Sequence, residues 1–155
     1  MRKLLVLVVT LFFLDWATAL ERTASPPGAR VEIISPADKA VVTNPVRVQF
    51  GLKGMGIAPA GIQFENSGHH HLLIDTDPPA DLGKPLPATD KLVHFGKGQT
   101  ETEVTLPPGK HTLQLVLGDY LHVPHNPPVL SRKITIVVKD PSRDPNKPAD
   151  KSTQP

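Results

Sequence analysis

Seven histidines in a chain of 155 residues fall into a few short stretches. Three stand together as His69-His70-His71 in GHHHLLID, His94 sits in LVHFG, His111 follows PPGK, and His122 and His125 share GDYLHVPHNPP. A neutral imidazole offers one lone pair to Cu(II), Zn(II) or Ni(II), so the first question is whether these rings can meet. On a strand, residues two apart point the same way, about 6.5 to 7 Å from each other. His69 and His71 can therefore offer two rings to one ion, while His70 faces the opposite side and caps a core. His94 alternates with Val93 and Phe95 and is placed to reach the same edge. Pro124, Pro127 and Pro128 restrict the backbone around His122 and His125, which lowers the entropy cost of holding two rings in place. The ligand set read from the sequence is His69, His71, His94, His122 and His125. Copper is the expected ion by the Irving–Williams order, with zinc as the substitute.

The same residues admit a structural reading, in which the rings hydrogen-bond strand and loop ends in a chain with no cysteine. His111 fits that reading best, as a ring following a Pro-Gly turn. Asp75 and Asp119 are candidates either to orient imidazoles or to form turns. Met55 stands in a glycine-rich loop, where a thioether is more often a packing filler than a ligand. No Gly-x-Ser-x-Gly elbow, phosphate-cradling loop, His-Glu-x-x-His helix or cysteine nucleophile is present. Ser67 and Ser131 have no spacing that supports a triad. The expectation is a protein that is not an enzyme.

Strands must carry these rings. Eighteen prolines and 11 glycines cut the chain short everywhere, and apolar residues recur with period two. Val46, Val48 and Phe50 share a face against Arg47 and Gln49. His70, Leu72 and Ile74 form an inward set, with His69, His71 and Asp75 outward. His111, Leu113, Leu115 and Leu117 line up, as do Ile134, Ile136 and Val138. About seven such strands bury their faces by packing two sheets, so the expected fold is all-β, an immunoglobulin-like antiparallel β-sandwich, with a jelly roll or small barrel as the other option.

The chain opens with Arg2 and Lys3, an apolar run from Leu4 to Leu14, and Ala17-Thr18-Ala19, the pattern of a secretory signal over residues 1–19. That run is short for a membrane span, which takes about 20 residues, and none follows it. The expected product is a periplasmic or secreted monomer: a linker over 20–30, one domain over 31–139, and a charged, proline-rich disordered tail over 140–155. Seventeen basic residues against 15 acidic ones, dispersed along the chain, leave no nucleic-acid footprint. The expected partners are a metal ion or, on the structural reading of the histidines, another envelope protein docking on the loops.

The segments FGLKGMGIAPAG, GHHHLLID and LPATDKLVHFGKGQTETEVTLPPGKHTLQLVLGDYLHVPHNPPVLS resemble the bacterial exported family called domain of unknown function 4399. The resemblance spans roughly Val46 to Val138. It implies an exported domain and carries no established activity. The opening SPADKAVVTNPVRVQF is also similar to the start of periplasmic copper-resistance sandwiches. Those place ligands near the mature N-terminus, where Leu20 to Val31 here holds no histidine, so that similarity bears on the fold.

Overall fold

A computed structural model describes residues 21–140. The expected signal and all but the first residue of the expected tail lie outside the described residues. Nine strands are formed, with no helix among the described residues: β1 (Arg30–Ser35), β2 (Val41–Val42), β3 (Val46–Lys53), β4 (Gly56–Ile57), β5 (Ser67–Ile74), β6 (Leu92–His94), β7 (Glu101–Val104), β8 (Gly109–Gly118) and β9 (Ile134–Val138). They make two sheets, one ordered β1-β3-β7 and one ordered β2-β9-β8-β5-β4, with β6 also on β5. The fold is an all-β sandwich. The two strands beyond the expected seven are two-residue pieces, β2 and β4, and both pair in parallel where the remaining pairs are antiparallel.

Period-two patterning decides which faces meet. Val46, Val48 and Phe50 of β3 turn inward against Leu113, Leu115 and Leu117 of β8, with Leu72 of β5 and Ile136 of β9, forming the main core between the sheets. Arg47 is left in solvent, where it pairs with Glu101 at 2.6 Å. Both faces of β5, however, are buried. The face away from the main core carries His69, His71 and Leu73, and Leu73 joins Leu86, Leu92 and Val116 in a second, smaller apolar cluster. Loops from either side close over it, tied by Leu86 N–H donating to the His122 carbonyl at 2.9 Å. His69 and His71 face away from the main core as expected, but that outward face is itself covered and both are fully buried. A strand covered on both sides is usually apolar throughout, so the imidazoles are the exception that needs a cause.

Residues 20–30, expected as a linker, are tied down over the part the structure describes. Ser25 N–H donates to Asn126 O and Asn126 N–H to Thr23 O, at 3.1 and 2.9 Å. Arg22 donates from Nε to Pro124 O at 2.9 Å and from its other arm to His125 O, and the Thr23 hydroxyl donates to Asp119 at 2.6 Å. This segment straps the 119–127 loop and belongs to the domain.

Candidate metal centre

Strand register brings the histidines together. His71 of β5 lies directly opposite His94 of β6, and cross-strand partners share a face. His69, two residues before His71, joins them on that face. On the other neighbour, β8, His69 is paired with Gly118. A Cβ at Gly118 would stand 2.7 Å from Cε1 of His71, and one at Gly96 only 2.3 Å from Cε1 of His94. These two glycines clear the space the rings occupy.

A fourth ring comes from the turn after β8. Asp119 organises that turn: one carboxylate oxygen accepts from Leu121 N–H and Val123 N–H, each at 2.9 Å, and the other accepts from Thr23. His122 sits at its tip with φ of 68°, a left-handed conformation that strains a residue with a side chain by about 1 kcal/mol or more. Its ring centroid is 5.0 Å from that of His69 and 4.7 Å from that of His94, but 6.0 Å from that of His71. Among the other three, centroids are 4.8 to 5.0 Å apart.

His69, His71 and His94 each offer one nitrogen, and these three atoms lie within 4.8 Å of one another. Tetrahedral coordination at bonds of about 2.0 to 2.1 Å sets nitrogens about 3.3 Å apart, so modest ring rotations would close the set on one ion. His69 and His71 are fully buried. Five of the trio's ring nitrogens (both of His69, both of His71, and Nε2 of His94) find no hydrogen-bond partner of good geometry in the protein. A neutral imidazole has one donor and one acceptor to satisfy, and leaving such a group buried and unpaired costs about 1–3 kcal/mol. The same burial, and next the mutual repulsion of neighbouring rings, pushes His69 down to about 4 and His71 down to about 3. His94 is lowered by burial and by His122. Near neutral pH these three rings are uncharged, the state in which they can bind a cation.

The remaining expectations divide. The structure does not bring His125 into the group. Its Nε2 lies 3.1 Å from Ser67 O and its Nδ1 3.4 Å from Leu117 O, so both nitrogens address main-chain carbonyls. Of the two rings that the His-x-x-His loop was expected to offer, only His122 reaches the cluster. His70 caps the main core as expected, packed 5.0 Å from the Phe50 ring with Nδ1 3.2 Å from Gln99 O. Asp75 serves His111 and Thr112 N–H, and Asp119 serves its own turn and Thr23, so neither orients a ring of the cluster by a hydrogen bond. Met55 packs on the main core. Sequence reasoning missed Gly96, Gly118 and the Arg22–Ser25 strap. A glycine just after His94, and another at the end of an otherwise apolar strand, were the available signals.

No curated protein and no solved structure matches this chain. A family model described as "Domain of unknown function (DUF4399)" matches residues 48–139, more than half of the chain, from β3 to the residue after β9, with all four clustered histidines inside. The resemblance in the sequence and the match agree, and the protein belongs to this family of uncharacterised domains.

Proposed function

We propose that this protein is an exported sandwich that binds a transition-metal ion, copper foremost, through His69, His71 and His94, with His122 at the mouth of the site. The observation that carries this reading is the set of five buried ring nitrogens without a hydrogen-bond partner of good geometry, converging from two adjacent strands, β5 and β6. A site of that kind is costly without an occupant and favourable with one, because a cation accepts the lone pairs that the protein leaves unused. The ligand chemistry is all-imidazole, which suits copper or zinc, and copper is first by intrinsic affinity. Complete burial of two of the three rings leaves little access for a substrate, which favours holding or handing on an ion over turnover.

Calorimetric titration of the purified protein with Cu(II) and Zn(II) tests the reading, beside His71→Ala and His94→Ala. One bound ion per chain in the wild type, and at least a hundredfold weaker binding in each variant, is the expected result. Equal affinity in wild type and variants removes the cluster as the site.

A docking module is the second reading, favoured by one observation: Phe64 and Ile62, 72% and 56% exposed, flank a surface pocket lined also by Asn66, Asp119 and Tyr120. On that reading the histidines are structural, and metal gives no increase in melting temperature.

A further inference from the structure

No carboxylate is among the ligand atoms that converge on the cluster. Among the described residues the group is histidine only. The Asp119 carboxylate, which acts on His69 through space, already engages two backbone N–H groups and the Thr23 hydroxyl. Around it stand buried Leu73, Leu86, Leu92 and Val116, on the same face of β5 as two fully buried rings. Taking an ion from water into such surroundings costs an amount that rises with the square of its charge, about four times as much for a dication as for a monocation. A dication held by neutral imidazoles alone recovers that cost with a further ligand such as a bound water or hydroxide, and the converging atoms here are three imidazole nitrogens with no carboxylate among them.

Coordination number argues in the same direction. Three nitrogens lie within mutual reach, while His122 remains 6.0 Å, ring to ring, from His71. Zn(II) and Cu(II) each complete a set of three imidazoles with a fourth ligand, a water or another side chain, which the apolar cover of this site disfavours. A closed-shell monocation is content with three. Ligand softness alone does not select the monocation, since imidazole serves both states, so the charge and the number of ligands decide.

We propose that the ion this site is built for is monovalent copper, held by His69, His71 and His94 as a three-coordinate Cu(I), with Cu(II) and Zn(II) held less tightly. This rests on the reading of the cluster as a metal site. His122 is then a ring poised at the entrance rather than an obligatory ligand.

Competition titrations test it on the purified protein: Cu(I) under ascorbate without oxygen against a chromogenic Cu(I) chelator, and Cu(II) and Zn(II) against chelators of their own. The expected result is Cu(I) bound at least a hundredfold more tightly than Cu(II), which places the midpoint potential of the bound couple about 120 mV above that of free aqueous copper. His122→Ala should leave Cu(I) affinity within about threefold and weaken Zn(II) more than tenfold. Cu(II) bound as tightly as Cu(I) overturns the proposal, as does an equal loss of Cu(I) and Zn(II) in His122→Ala. If the divalent ions bind without a preference for Cu(I), only this proposal falls. If none of the three ions binds, the metal reading falls with it.

Discussion

His111 and the His69–His71–His94 cluster lie on opposite faces of the same sheet and treat the same side chain in opposite ways. His111 is partnered at both nitrogens, to Asp75 Oδ2 at 2.7 Å and Pro107 O at 2.8 Å. Burial opposes its charging, yet the Asp75 carboxylate and the Pro107 carbonyl outweigh burial and raise it above the usual histidine value. In the cluster burial and the neighbouring rings outweigh the little that opposes them, the Asp119 charge near His69 and the His69 backbone beside His71, and the rings are held neutral. A histidine that has partners stabilises the fold, and one without them is a liability until something binds. That contrast, more than the number of histidines, separates the structural rings from the candidate ligands.

The contrast can be broken first by acid. Because His69 and His71 fall well below 6.5 in the folded state, the unfolded chain binds more protons between about pH 6.5 and 4, and stability falls as pH falls through that window. We expect the metal-free protein to lose on the order of 2 to 4 kcal/mol by pH 4, less than the full shifts imply because solvent screens part of the charge. His111 works with the opposite sign: its raised value adds stability that is fully present below about pH 6.5 and is lost as pH rises through its folded value. Asp75→Asn should therefore steepen the acid loss. Denaturant melts across pH check both, and flat stability from pH 7 to 4 would show that the cluster rings are not held neutral.

Next in size is the effect of volume at the site. Gly118→Ala drives a methyl group into His71, and is expected to weaken metal binding at least tenfold, about 1.4 kcal/mol, with the strand content seen by circular dichroism retained. His111→Phe should leave the affinity within about threefold. Smaller again, Asp75→Asn should lower stability near pH 6 by about 1 kcal/mol through the loss of a charge-assisted hydrogen bond that is partly exposed. The smallest change has the opposite sign. His71→Leu removes two unpaired buried nitrogens at similar volume, and should raise the stability of the metal-free protein by up to about 1 kcal/mol while abolishing its stabilisation by metal. A destabilised His71→Leu would mean that His71 is a structural ring.

The sandwich was legible because its signal is local: Val46-x-Val48-x-Phe50 and His111-x-Leu113-x-Leu115-x-Leu117 each state a strand and its buried face. The convergence of His69, His71 and His94 was partly legible, since two follow from period two and the third from a short strand of the same parity. Their burial was not, because the cover over β5 is made by loops that carry no periodicity and meet through Leu86 and His122. His125 misled for a related reason. Spacing in a loop does not fix direction, and the His125 nitrogens face the Ser67 and Leu117 carbonyls instead of the cluster. The Arg22–Ser25 strap was hidden by composition, since a proline-rich, polar stretch looks like a linker until the carbonyls it pairs with are known.

X-ray absorption on the protein loaded with one equivalent of copper under reducing conditions reads the inner shell directly. Three imidazole nitrogens at about 2.0 Å, with their outer-ring scattering and no further ligand, is the result this account predicts. A shell dominated by oxygen, or holding one imidazole or none, would contradict it.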